Sequence, residues 1–201
     1  MGEATAVTPV DPILSDRHRH MLEIESAITA EVIQARGYRT IEVPEELLSL
    51  GFKHYQAVTP GLLVPLYDMW GNVSSYQYRP DDPRKNGEGK LIRYETRAGH
   101  RQVLDANPIL GERLRSPSEP LIVTEGARKA DAAISQGYVA VTLSGVWCWR
   151  KDGVQLPEWE DIKLHGRKVF IVFDSDTQTN PQVLKALKQL CIFLHERGAN
   201  A

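Results

Sequence analysis

The chain has 201 residues, of which 42% are hydrophobic and 25% are charged, and its formal net charge is −2. These values are typical of a soluble globular protein, and the length suffices for one large domain or two small ones. They exclude a uniformly basic surface, so a nucleic-acid partner would have to bind a local patch. Two isolated cysteines and the lack of an apolar run of about 18 residues argue against a disulfide framework and a membrane span, so we expect a cytoplasmic protein.

The first part of the chain is predicted to form an α+β unit. Residues 1–14 carry no periodic pattern and are expected to be a flexible leader. Apolar residues recur at helical spacing over residues 15–36, where Gly37 would end one amphipathic helix, and a short helix is predicted over residues 44–50. Strand patterns follow at residues 62–67, 73–79 and 91–96. Together these strands indicate a small antiparallel sheet.

Residues 105–119, which are rich in proline, glycine and charge, are predicted to connect two units. Strand and helix patterns alternate after this connection. The expected elements are strands at 121–124, 138–142 and 169–173, helices at 127–136 and 181–197, and a Trp-rich segment at 146–165. Such alternation is typical of a parallel sheet with right-handed crossovers. The predicted fold class is therefore α/β, with a Rossmann-like parallel-sheet unit preceded by a small α+β unit that contains the antiparallel sheet.

Two apolar segments of the second unit end in acidic residues. Residues 120–126 read Pro-Leu-Ile-Val-Thr-Glu-Gly, and residues 168–176 read Lys-Val-Phe-Ile-Val-Phe-Asp-Ser-Asp. Because the crevice of a parallel sheet lies beyond the carboxyl ends of its strands, Glu125, Asp174 and Asp176 are expected to converge. Two such charges at about 4 Å and an effective dielectric of about 20 repel by about 4 kcal/mol, which favours a bound cation. The expected ion is Mg²⁺, with Mn²⁺ as an alternative.

These motifs, in this order, resemble the Toprim domain of primases, topoisomerases and certain nucleases. The resemblance covers residues 119–198 and is carried by Leu-Ile-Val-Thr-Glu125-Gly126, Thr-Leu-Ser144-Gly145 and Val-Phe-Asp174-Ser-Asp176. The segments look most like the Toprim units of plasmid- and phage-borne primase or helicase proteins. The resemblance implies a Toprim domain at residues 119–201 that stops before the last strand usual in the family.

The preceding region resembles the sheet before Toprim in bacterial-type primases. The similarity lies in Leu-Leu-Val-Pro-Leu-Tyr-Asp68-Met-Trp-Gly71, in the strand that ends at Arg79, and in Lys90-Leu-Ile-Arg-Tyr-Glu-Thr. A primase-like unit over residues 15–118 would then line the groove for template and nucleotide. The phosphate-binding residues that this resemblance implies are Arg79, Lys90, Arg93, Arg97 and Arg101.

The Toprim resemblance also implies roles for the acidic residues and their neighbours. Glu125 would act as a general acid or base at a primer hydroxyl or scissile phosphate, and it would complete a metal shell with Asp174 and Asp176. The remaining predicted site residues are two turn glycines and two phosphate-binding cations: Gly126, Gly145, Arg128 and Lys129.

The function implied by the resemblance is magnesium-dependent nucleotidyl transfer on DNA by a primase-like replication protein. Its partners would be a single-stranded DNA template, nucleotides and a replicative helicase. Two alternatives stay open at this point. Toprim nucleases use a similar metal site to hydrolyse phosphodiesters, and an incomplete domain could serve as a non-catalytic module that binds DNA or docks on a helicase.

Structural roles compete with several of these assignments. Asp176 could cap a helix, and each arginine of the predicted antiparallel sheet could be a solvated surface residue. Trp147, Trp149 and Trp159 could stack on bases, but tryptophans in such segments more often anchor a loop on the core.

Overall fold

A computed structural model of the protein describes residues 13–174 and 180–201. Within these ranges, a four-stranded antiparallel sheet lies in the N-terminal part and a three-stranded parallel sheet in the C-terminal part. This arrangement confirms the predicted fold class.

The N-terminal part is built of short helices around the antiparallel sheet. Its elements are helix α1 (Asp16–His20), a π-helical turn (Met21–Glu25), helix α2 (Ala30–Arg36), strand β1 (Arg39–Ile41), helix α3 (Pro44–Ser49), a 3₁₀ turn (His54–Gln56), and strands β2 (Gly61–Tyr67), β3 (Val73–Pro80) and β4 (Glu95–Thr96). The strands lie in the order β1-β2-β3-β4. Strand β2 is the most buried of them, because neighbours pair along both of its edges and its residues 61–66 are buried.

The prediction of one continuous helix over residues 15–36 is wrong, because the chain breaks between α1 and α2. Ala27 adopts a left-handed conformation with φ of 52°. The Ile28 amide donates a hydrogen bond to the Leu22 carbonyl oxygen at 3.0 Å, and both side chains are buried. The break therefore lets apolar residues on both sides of it reach the core. Gly37 ends α2 in the left-handed region, as predicted.

The predicted strands at 62–67 and 73–79 are confirmed, whereas the one at 91–96 is mostly wrong. Only its last two residues, Glu95 and Thr96, pair with β3 as a strand. Strand β1 was not predicted, since its three residues are too few to show a periodic pattern.

The C-terminal part alternates strands and helices as predicted. Its elements are a 3₁₀ segment (Pro108–Arg115), β5 (Leu121–Glu125), α4 (Ala127–Ser135), β6 (Val139–Leu143), the hairpin strands β7 (Arg150–Lys151) and β8 (Val154–Gln155), a 3₁₀ turn (Pro157–Asp161), β9 (Val169–Val172) and α5 (Pro181–Glu196). The parallel sheet has the order β6-β5-β9. Asn180 caps α5 by accepting a hydrogen bond from the Gln182 amide at 3.0 Å, as its sequence predicts. After α5 the chain returns to the sheet, where Asn200 forms a parallel bridge with Lys168.

Two tryptophans of the Trp-rich segment anchor it on α5. Trp149 and Trp159 are buried, and the Trp159 indole donates a hydrogen bond to the Trp149 carbonyl oxygen at 3.0 Å. Both rings contact Phe193 of α5, at centroid distances of 5.1 and 5.5 Å. These two side chains therefore pack in the core and present no free face for stacking on a base.

One hydrophobic cluster runs from the antiparallel sheet to the parallel one. It includes Leu22 and Leu62 from the N-terminal part, and Leu121 and Leu190 from β5 and α5. The backbone of Asp105 also joins the parallel sheet, because it exchanges two hydrogen bonds with Thr142 of β6, at 3.0 and 2.9 Å. None of the described helices is both long and apolar enough to cross a lipid bilayer.

Candidate functional site

A cleft of about 840 Å³ opens beyond the carboxyl ends of β5, β6 and β9. Its floor is formed by residues that end or follow these strands, and its opposite wall comes from the N-terminal part. The lining residues are Glu25, Ser26, Gln77, Lys90, Arg93, Tyr94, Glu125, Gly126, Arg128, Lys129, Ala132, Leu143, Ser144, Gly145 and Asp174. The structure therefore brings together eight of the predicted site residues: Glu125, Asp174, Gly126, Gly145, Lys90, Arg93, Arg128 and Lys129.

Glu125 reaches the cleft because it is the last residue of β5. Gly126 follows with φ of 81°, a conformation that glycine adopts without strain, and α4 begins immediately after it. The Gly126 amide donates to the Leu143 carbonyl oxygen at 3.2 Å, which fixes the turn to the end of β6. The position of Glu125 is therefore set by the backbone of two adjacent strands.

The charge of the Glu125 carboxylate affects the pKa of the Cys148 thiol. Burial raises the pKa of Cys148, and the Glu125 carboxylate raises it further. The Cys148 amide donates to the Gly145 carbonyl oxygen at 2.8 Å, so the turn that lines the cleft also holds the thiol. Cys148 thus lies at the border of the site.

Asp174 follows β9, the strand that pairs with β5 through Thr124 and Val172. It forms an ion pair with Lys129, which lies in the first turn of α4. Both side chains are substantially exposed to the cleft, so solvent screens the pair and its net contribution to folding is small. Asp176, the third predicted metal ligand, lies outside the described residues.

Arg128 offers an unsatisfied donor at the cleft. Its Nη1 atom is buried and has no hydrogen-bond partner among residues 13–174 and 180–201. A buried guanidinium N–H without an acceptor is costly. An anionic ligand in the cleft would supply the missing acceptor.

Lys90 and Arg93 reach the cleft from the opposite wall, on the irregular segment before β4. The Lys90 amide donates to the Asn86 side-chain oxygen at 2.9 Å, and the Ile92 amide donates to the Arg84 carbonyl oxygen at 2.8 Å. This wall therefore adds two cations from a fixed backbone to the two cations of α4.

Three predicted phosphate-binding arginines do not line the cleft. Arg79 lies on β3, where it shares a face with the lining residue Gln77. Arg97 lies against Gly51, and Arg101 forms an ion pair with the buried carboxylate of Glu158. Both arginines are exposed residues that lie outside the cleft lining, and Arg101 is in addition paired with a carboxylate.

Sequence reasoning missed several lining residues, most clearly Glu25, Ser26 and Tyr94. Glu25 and Ser26 face the cleft only because the chain breaks between α1 and α2, and the helical pattern carries no signal of that break. Tyr94 lies directly after Arg93, so its position beside two predicted phosphate-binding residues could have identified it.

The chemistry of the acidic residues fits a hard divalent cation, although the described residues include no group of three or more His, Cys, Asp or Glu side chains that could hold one. Mg²⁺ is commonly bound by one or two carboxylates together with water and phosphate oxygens of a substrate. Glu125 and Asp174 supply two such carboxylates, and four cations, the kind of group that binds phosphate oxygens, line the same cleft.

Comparisons with known proteins give a match to one family model over part of the chain and a similarity in fold to primases. Residues 113–201 match the family model described as "Domain of unknown function (DUF3854)". No curated protein matches the sequence.

Several solved structures have a similar fold. The chain aligns with the zinc-binding and RNA polymerase domains of the Aquifex aeolicus primase at a TM-score of 0.58 and 15% identity, covering 92% of this chain and 48% of that one. It aligns with a DnaG catalytic core at 0.57 and 14%, and with a DNA primase domain from Pseudomonas aeruginosa at 0.53 and 14%; each alignment covers 87% of this chain and 58% of the other.

The chain therefore has the fold of primase catalytic cores, and it spans about half the length of the primase structures that it matches. At these identities the likeness concerns the fold alone. The site must be judged on its own residues.

Proposed function

We propose that this chain is a primase-like Toprim protein of DNA replication, which carries out magnesium-dependent nucleotidyl transfer on DNA. The observation that carries the proposal is the cleft itself. It combines two carboxylates at the ends of adjacent parallel strands with Lys90, Arg93 and two further cations. Carboxylates that hold a dication, surrounded by cations that hold phosphates, are the groups that phosphoryl transfer requires.

Glu125 and Asp174 would hold the Mg²⁺ ion, together with Asp176 outside the described residues. When bound, the ion would orient phosphate oxygens and offset the negative charge that develops on them. Glu125 would also act as general base toward the attacking hydroxyl of a primer or nucleotide.

The cations of the cleft would bind and orient the phosphates. Arg128 would donate its buried, unsatisfied N–H to a phosphate oxygen, and Lys90 and Arg93 would hold the phosphates from the opposite wall. Lys129 keeps the Asp174 carboxylate in place through their ion pair. Excluding water from the cleft would strengthen all of these interactions.

The partners proposed for this activity are a single-stranded DNA template and nucleotides. A replicative helicase is a further proposed partner, on the strength of the resemblance to primase and helicase proteins. Since the chain spans about half of the primase structures it matches, the activity of a whole primase is itself a proposal.

The test is an extension assay with single-stranded DNA, Mg²⁺ and labelled nucleotides. The wild-type chain should make extended products, and Glu125→Gln should lose them while still binding DNA. Glu31→Gln, which changes an exposed carboxylate on α2 outside the cleft, is the matched control and should keep the activity. Shortened DNA would instead identify a nuclease. If neither product forms and Mg²⁺ leaves the thermal midpoint unchanged, the chain is a non-catalytic module.

A further inference from the structure

One aromatic side chain of the cleft is exposed where its cations lie. Tyr94 lines the cleft next to Arg93, on the same segment as Lys90, and 36% of its surface is accessible. Within the described ranges, no hydrogen bond fixes its hydroxyl group. The ring therefore presents free aromatic surface to a ligand in the cleft.

We propose that Tyr94 is a base-stacking residue, which receives one unpaired base of a single-stranded DNA while Lys90 and Arg93 contact the flanking phosphates. The inference rests on the proposed function and adds a residue and a mode of binding to it. Aromatic rings alternating with cations are the combination by which proteins bind single strands, since only unpaired bases expose both faces for stacking.

Hydrogen bonds hold the chain on both sides of Tyr94, so the position of its segment is set before a ligand binds. Glu95, the next residue, is buried and accepts hydrogen bonds from Arg84 at 2.6 and 3.1 Å and from Gln56 at 2.9 Å. On the other side, the Ile92 amide is bonded to the Arg84 carbonyl oxygen. Arg84 therefore holds residues 92–95 on both sides of Tyr94, through its guanidinium group on Glu95 and its carbonyl oxygen on Ile92. A platform that is ordered before binding loses little conformational entropy when a ligand arrives.

The charges of the cleft divide it into two regions for a bound strand. Glu125 and Asp174 repel phosphates unless a cation is present, and they lie at the ends of the parallel strands. Tyr94 lies on the opposite wall, whose lining charges are Lys90 and Arg93 on the same segment as Tyr94, and Glu25 on the π-helical turn. Stacking on Tyr94 would therefore bind the strand beside the carboxylates without requiring the metal ion.

The experiment measures binding of a fluorescent oligothymidylate to the full chain without divalent metal, by anisotropy at several salt concentrations. Tyr94→Ala should weaken binding about fivefold to 150-fold, the range expected for one base–aromatic stack. Tyr94→Phe keeps the ring and should bind like the wild type. Tyr138→Ala removes a tyrosine that is 56% exposed but outside the cleft, and should change binding less than about twofold, as expected for a surface substitution.

The salt dependence separates stacking from phosphate contacts. Arg93→Ala should reduce the slope of log K against log salt by about 0.7, the value for one phosphate contact on a single strand. Tyr94→Ala should leave that slope unchanged. An abasic oligonucleotide should bind the wild-type chain more weakly and should show no further loss with Tyr94→Ala.

Equal binding by Tyr94→Ala and Tyr138→Ala would overturn the stacking role, while oligonucleotide binding by the wild type would leave the proposed function intact. If Tyr94→Ala weakens binding of thymidine triphosphate but not of the oligonucleotide, the ring serves a free nucleotide and the single-strand assignment is wrong. Failure of the wild-type chain to bind any oligonucleotide would overturn the inference and the proposed function together.

Discussion

Cys148 gives the most local test of the site, because the Glu125 carboxylate raises the pKa of its thiol. Burial first, and Glu125 second, raise the pKa of Cys148, since both disfavour the thiolate. Only the thiolate reacts with iodoacetamide, so the reaction rate follows the titration of this group.

In a Cys191→Ser background, the pH profile of Cys148 alkylation should have its midpoint above about 8.5, the value of a free thiol. Glu125→Gln removes the nearby negative charge, so the pKa should fall and alkylation at a given alkaline pH should become faster. Mass spectrometry of the alkylated protein measures the rate. Glu31→Gln should not move the profile, and an identical profile for Glu125→Gln would mean that the carboxylate lies too far from the thiol.

The break between α1 and α2 contains a strained backbone conformation at the edge of the cleft, beside the lining residue Ser26. Ala27 has φ of 52°, a region that costs a residue with a β-carbon about 1–2 kcal/mol. The break is held by packing, since Ile28 is buried and the Thr29 amide donates to the Ser135 hydroxyl of α4 at 3.0 Å.

Ala27→Gly should therefore raise the free energy of unfolding by about 0.5–1 kcal/mol, since the relief of strain exceeds the entropy that glycine adds to the unfolded chain. Ala30→Gly, at the start of α2, should instead lower it, because that position is helical. Urea unfolding followed by circular dichroism measures both. A loss of stability with both variants would contradict a strained Ala27.

Elements with a local sequence pattern could be predicted, whereas the break between α1 and α2 could not. Strands β5 and β9 and helix α5 carry their own signals in apolar runs, an N-cap and Pro181, so the strand ends that place Glu125 and Asp174 were predictable. The position of Ser26 was not, because a left-handed alanine is imposed by residues far away in sequence. The same holds for the separation of Arg101 from the cleft, which depends on Glu158.

A buried network of charged side chains links the N-terminal part of the molecule to the C-terminal part. Arg36, at the end of α2, is fully buried and donates to Asp131 of α4 at 2.9 and 2.7 Å and to Asp105 at 2.6 Å. The Tyr38 hydroxyl also donates to Asp131, at 2.7 Å. Burial alone would lower the pKa of Arg36, but the two carboxylates raise it well above its ordinary value, so it stays charged.

Arg36→Met should cost about 3–5 kcal/mol of unfolding free energy, because it leaves buried carboxylates without a counter-charge. Arg39→Met is the matched control. Arg39 pairs with Glu46 at 2.7 Å where both side chains are exposed, and its loss should cost less than about 1 kcal/mol. Equal losses in chemical denaturation would show that the buried network does not stabilise the junction.

We propose that Glu125 and Asp174 bind a divalent cation in the cleft, where neighbouring cations would hold phosphates. Electron paramagnetic resonance of Mn²⁺ measures this directly, because bound and free ions give different signals. The wild-type chain should bind Mn²⁺ in competition with Mg²⁺, Glu125→Gln and Asp174→Asn should each weaken that binding, and Asp82→Asn, an exposed change outside the cleft, should not. Equal Mn²⁺ binding by all four proteins would rule out a metal site at Glu125 and Asp174.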